Sequence, residues 1–194
     1  MKRGSHFFAY MARMRNIARW GLMRNTQPEN DAEHTAQVAM IAHALAVLRN
    51  ARFGGAVDAG HVVALALYHD ASEVITGDLA TPIKYFSPEI SAAYRGIEGV
   101  ASQALLTMLP EDVRPAYLPL LLPDTDSDAW RLVKAADRIA AYAKCVEEQK
   151  AGNAEFMRAG QSILRSIQAI DLPEVRTFME EYMPSFALTL DELN

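Results

Sequence analysis

The run Val62-Val63-Ala64-Leu65-Ala66-Leu67 is apolar at every position and leads straight into Tyr68-His69-Asp70. A segment that is apolar on all faces has to be enclosed by the rest of the chain. Enclosure carries His69 and Asp70 into the interior with it. A bare charge is costly there, and buried charges persist by pairing or by binding a metal ion. The fold must therefore wrap this run and give Asp70 a partner. Ala, Leu, Met and Glu recur along the chain and β-branched runs are few, so helices are expected to do the wrapping.

Helix signals follow in order. Residues 6–15 form a first helix, with Gly21 and Pro28 as breakers in the connection that carries Arg19-Trp20 and Arg24-Asn25. Trp20 can pack the first helix onto the second with Arg19 solvated, or the pair can serve a ligand. Asn30 or Asp31 caps a second helix that runs to Asn50. His34, Val38, Ile41 and Leu45 share its inward face, and His43 points the other way. Asp58 caps a third helix that contains the apolar run and ends around Val74 to Thr76, before Gly77. Thr81, preceding Pro82, is pushed towards an extended conformation. Ser87-Pro88 opens a fourth helix that stops at Pro110; Pro115 and Pro119 allow only a short, interrupted one after it. Further helices cover 128–150, 154–170 and from Pro173 to about Met183. With no repeat or low-complexity linker, 1–194 is expected to be a single all-α domain.

Three of these helices deliver polar groups from apolar faces: His34 from the second, His69 and Asp70 from the third, and Asp137 from the one over 128–150. Two imidazoles and two carboxylates suit a divalent transition metal with positions left for water. Ligands far apart in sequence are expected when they meet in a helical bundle. Each residue also has a plain structural alternative. His34 can be a core histidine, Asp70 a cap or ion-pair partner, and Asp137 a partner of Arg131 or Arg138. Glu73, three and four residues beyond the His69-Asp70 pair, would share their helical face and could move a proton during hydrolysis.

The pattern of His34, His69-Asp70 and Asp137 resembles the HD-domain metal phosphohydrolases, and most closely the bacterial HD-domain 5′-deoxynucleotidases. The stretches that carry the resemblance are Ser5-His6-Phe7-Phe8-Ala9, Arg19-Trp20, Leu22-Met23-Arg24-Asn25, Glu33-His34, Tyr68-His69-Asp70-Ala71-Ser72-Glu73-Val74, Thr76-Gly77-Asp78-Leu79, Thr81-Pro82 and Lys84-Tyr85-Phe86. It implies an HD-type helical bundle, a homodimer, and removal of the 5′-phosphate from deoxyribonucleoside 5′-monophosphates. It also implies one divalent metal ion, Co²⁺, Mn²⁺ or similar, held by His34, His69, Asp70 and Asp137. Glu73 would be general acid for the leaving 5′-oxygen and Arg19 would hold the phosphate. Trp20 would sit against the sugar and exclude a 2′-hydroxyl. Asp78 would accept from the 3′-hydroxyl, with Leu79 and Thr81 on the same wall. Ala80, where the family commonly has proline, and Ala32, where it has a small polar residue, depart from the pattern without touching a ligand.

Two other functions compete: a triphosphohydrolase acting on dNTPs, and a nucleotide-binding scaffold without turnover. The first would call for a richer basic cluster, and the complete acid and ligand set counts against the second. A net charge of −5 opposes binding to a nucleic-acid polymer. No uninterrupted apolar stretch is long enough to span a membrane. A single cysteine, Cys145, fits a reducing cytoplasm.

Overall fold

The computed structural model describes residues 4–194. Among them the only β-type pairing is an isolated bridge between Ala18 and Asn30. The remaining regular structure is helical: α1 (Phe7–Met11), α2 (Asp31–Arg52), α3 (Ala59–Tyr68), α4 (Glu73–Thr76), α5 (Thr81–Lys84), α6 (Pro88–Thr107), α7 (Arg114–Leu121), α8 (Asp128–Lys150), α9 (Met157–Gln168) and α10 (Pro173–Glu181), with 3₁₀ turns at Ala12–Asn16, Ala154–Phe156, Met183–Ala187 and Leu190–Leu193. None of these helices is long and apolar enough to cross a membrane.

The helix starts follow side-chain chemistry. The Asn30 side chain accepts from the backbone N–H groups of Ala32 and Glu33, while Glu33 accepts from Asn30 N–H, a reciprocal capping box on α2. Asn30 therefore caps alone, and Asp31 is free to turn into the interior. Asp58 caps α3, Ser87 caps α6 and Ser127 caps α8.

Two sequence expectations need correction here. The third helix does not continue to Val74–Thr76. It ends at Tyr68, and turns over His69–Ser72 separate it from α4. The Ala66 carbonyl explains the break. It receives His69 N–H at 3.4 Å and His69 Nδ1 at 2.8 Å, and the next bonds run three residues back, from Ala71 to Tyr68 and from Glu73 to Asp70. An imidazole that binds its own helix end competes with continuation of the ladder. Thr81 is also not extended: it opens α5, directly after Ala80 at φ −51° and ψ 129°. Proline in the first turn has no N–H to lose, so the turn can close with Pro82 inside it.

The apolar run is enclosed on one side only. Val62, Leu65 and Ala66 are buried, whereas Leu67 is 44% exposed. Its inner face joins the larger core, built from Val38, Leu45, Leu132, Ile139, Val175 and their neighbours on α2, α3, α8 and α10. A smaller core gathers Phe7, Ala71, Leu105, Leu106, Leu109 and Leu121. The His69–Ser72 turn passes from one core to the other, which fixes the two polar residues at the seam.

The connection before α2 is tied at both ends. Its base is closed by Arg19 N–H to Glu29 O at 3.0 Å and Asp31 N–H to Ile17 O at 3.1 Å. Its tip is held by Glu148 of α8, which accepts from Thr26 N–H, Thr26 Oγ1, Gln27 N–H, Asn153 Nδ2 and Lys144 Nζ.

Candidate active site

The four expected ligands converge. One donor atom each from His34, His69 and Asp70 lies within 4.8 Å of the others. Asp137 joins through Oδ1, at 3.1 Å from His34 Nε2 and 3.9 Å from His69 Nε2. Both histidine side chains are fully enclosed. The Nδ1–H of His69 donates to Ala66 O, which leaves its Nε2 with a lone pair turned inward. That Nε2 is buried without a hydrogen bond; Asp70 Oδ2 lies 3.0 Å away but out of line for one. A backbone-anchored imidazole with a free buried nitrogen beside two carboxylates has the donor chemistry that a divalent ion takes. Hence the residues present fit a divalent ion.

Charge around the cluster is arranged unevenly. Burial alone would raise the carboxyl of Asp137, but Lys134 and the two histidines hold it well below the usual carboxylate range. Lys134 Nζ is 2.5 Å from Asp137 Oδ2. Asp70 is likewise held low against its burial, chiefly by His69. Asp70 and Asp137 are therefore both ionised at neutral pH. Glu73 is the opposite case. Only 6% exposed, it is pushed up to about 11 by burial first and then by Asp70, Asp31 and Asp78. It keeps its proton at neutral pH.

Arg19 is not solvated. Its side chain is 13% exposed, with Nη1 at 3.6 Å from both Asp31 and Asp70 and Nε at 3.3 Å from Glu29. Burial opposes its charge, but Asp70, Asp137 and Glu29 outweigh that and keep the guanidinium charged. Trp20 packs on Phe156, ring centroids 5.2 Å apart, rather than pinning the first helix to the second. Burial raises Asp78, which lies near enough to Arg19, Asp70 and His34 to feel their charges. Leu79, half-buried, and Thr81, exposed, share its segment without entering the charged network. His6, His43 and His61 are exposed and take no part.

Two residues at the site were not anticipated. Asp31 is fully buried. Neither of its oxygens has a hydrogen-bond partner, and Glu73 and Arg19 only partly oppose the effect of its burial. Burial lifts it to about 6. Its place three residues before His34 on one helical face was the available signal. Lys134, three residues before Asp137, carried the same signal.

An all-α bundle that converges on a His, a His-Asp pair and a distant Asp defines the HD-domain phosphohydrolase class. A solved HD-domain phosphohydrolase from Listeria innocua superposes with a TM-score of 0.83 at 24% identity, over 95% of this chain and 90% of its own. The HD phosphohydrolase DatZ of cyanophage S-2L, solved with dA and one catalytic Zn²⁺, gives a TM-score of 0.64 at 21% identity, over 91% of this chain and 96% of its own. These likenesses establish the fold. A 5′-deoxynucleotidase of Vibrio cholerae is 49% identical over 98% of both chains. The family model described as 5′-deoxynucleotidase YfbR-like matches residues 6–186. The chain belongs to the YfbR-like 5′-deoxynucleotidase family, and with it to the phosphomonoester hydrolases.

Proposed function

We propose that the protein hydrolyses deoxyribonucleoside 5′-monophosphates to deoxyribonucleoside and phosphate, with one divalent ion held by His34, His69, Asp70 and Asp137. The observation that carries this is the placement of a buried arginine, Arg19, within 3.6 Å of the Asp70 side of that donor set. A phosphate beside the four ligands would meet the guanidinium directly. Among the described residues the Arg19 side chain makes a hydrogen bond only through Nε, to Glu29, so both Nη groups keep donors for phosphate oxygens.

A bound divalent ion supplies Lewis acidity to the phosphate and lowers the pKa of a water. Co²⁺ or Mn²⁺ suits the mixed imidazole and carboxylate set. The chain's own residues do the rest. Arg19 orients the phosphate and offsets charge that builds on its oxygens. Glu73, protonated, donates to the 5′-oxygen as it leaves. Asp78 accepts from the 3′-hydroxyl. Trp20 occupies the sugar side, where a 2′-hydroxyl would lose its hydration without gaining a partner, a strong basis for discrimination. The same proposal treats 1–194 as one catalytic domain acting in the cytoplasm. It also includes a homodimer, which would sediment at twice 21.4 kDa.

Phosphate release from 5′-dNMP, 5′-NMP and 3′-dNMP by metal-stripped protein tests the central claim. Release from 5′-dNMP is expected to far exceed that from 5′-NMP and 3′-dNMP, and only after Co²⁺ or Mn²⁺ is restored. Inorganic triphosphate release from dNTP, with 5′-dNMP untouched, would replace this reading with the triphosphohydrolase one. No hydrolysis with any metal would favour the scaffold.

A further inference from the structure

We propose that Glu29 is a positioning residue that couples phosphate recognition to sugar recognition. Resting on the roles given above to Arg19 and Trp20, the proposal adds a residue to which neither the family pattern nor the donor set assigns a role. A single oxygen, Glu29 Oε2, accepts from Arg19 Nε at 3.3 Å and from Trp20 Nε1 at 2.9 Å. The carboxylate thus holds the guanidinium by its inner nitrogen and the indole by its only donor, and its side chain is 12% exposed.

The loop does not need this carboxylate to close. Its base is fastened by backbone bonds, with Arg19 N–H to Glu29 O and the Ala18–Asn30 bridge. Its tip is fastened by Glu148 and by Asn153, which donates to Arg24 O at 2.7 Å. The Glu29 side chain is left to act on the two side chains it binds. Trp20 needs such a hold. Among the described residues it is the one non-glycine with positive φ, 57°. A bulky side chain in the left-handed region is strained, and such strain persists only where surrounding contacts over-determine it. Phe156 supplies the apolar side of that hold and Glu29 the polar side. Moving either partner of Oε2 moves the anchor of the other, so the spacing between the phosphate clamp and the indole is set by one atom.

The test compares kcat and KM for 5′-dNMP and 5′-NMP in Glu29→Ala, Glu29→Gln, Trp20→Ala and Glu29→Ala/Trp20→Ala, all loaded with metal. Glu29→Ala is expected to raise KM for 5′-dNMP and to lower the deoxy-over-ribo ratio of kcat/KM by about tenfold or more, the loss of a charge-assisted hydrogen bond. Glu29→Gln keeps an acceptor oxygen and should recover part of the ratio; it also serves as the variant to measure if the alanine form does not fold. In the Trp20→Ala background, Glu29→Ala should still raise KM through Arg19 but leave the ratio where Trp20→Ala put it. A ratio changed by Trp20→Ala and untouched by both Glu29 variants would overturn the proposal while sparing the role of Trp20. A ratio that Trp20→Ala does not move would remove the sugar-reading role itself, and the coupling with it. Equal losses for both sugars in the Glu29 variants would reduce Glu29 to a phosphate-side support and also overturn the coupling.

Discussion

Glu73→Gln is expected to lower kcat for 5′-dNMP by about 10²–10⁴-fold, the usual worth of a positioned general acid, and to leave metal binding and folding nearly intact. The structure explains both halves of that outcome. At neutral pH Glu73 is protonated, so glutamine reproduces its charge and its shape. What glutamine lacks is a transferable proton. The pH profile gives a second check. An acid raised to about 11 stays competent through neutrality, and activity falls as pH rises through its pKa. A cation held by the proposed four ligands would add positive charge nearby and bring that alkaline limb to lower pH. In Glu73→Gln this limb should disappear. An unchanged kcat would remove the acid role, and an alkaline limb that survives the substitution would assign it to another group.

The sequence carried more of this site than of the backbone that presents it. His34 was legible because its face could be counted from Val38, Ile41 and Leu45, all buried as expected. Asp137 was legible by the same count along α8. The count does not hold at His69-Asp70, because the helix ends at Tyr68. Periodicity cannot register an imidazole that takes the carbonyl the next turn requires. Glu73 nevertheless reaches the site, because its turn returns it to the buried side. Arg19 and Trp20 could not be placed from sequence at all. They sit in an irregular connection, where no period operates and position is set by partners as distant as Glu148 and Phe156. By its sequence Asp31 is one of two possible caps. Only the capping box made by Asn30 and Glu33 shows that it was never needed there.

The second large effect should be on stability. Glu148→Ala is expected to destabilise the protein by about 3–5 kcal/mol, the range for breaking a buried ion pair from one side. At this chain length that is a fall in Tm of roughly 6–20 °C. Glu148 is 1% exposed and Lys144 5% exposed, so removing the carboxylate strands a buried ammonium. It also leaves Thr26 N–H and Gln27 N–H without their acceptor. Burial would raise the Glu148 carboxyl, but Lys144, Thr26 and Asn153 outweigh it and hold it well below its ordinary 4.5. A carboxyl depressed by folding stabilises the native state above its unfolded pKa and loses that contribution as pH falls through the folded value. The melting difference between the protein and Glu148→Gln should therefore be full at pH 7 and shrink below about pH 4.5. Replacing both charges with apolar residues, as in Lys144→Met/Glu148→Leu, separates the pair from the loop it holds. Isolated buried pairs often tolerate that exchange with little loss. Here the loop amides would still lack an acceptor, so the double variant should recover only part of the stability and retain a raised KM through a loosened Arg19 and Trp20. A double variant that melts and turns over like the parent would show that the loop needs no anchor on α8.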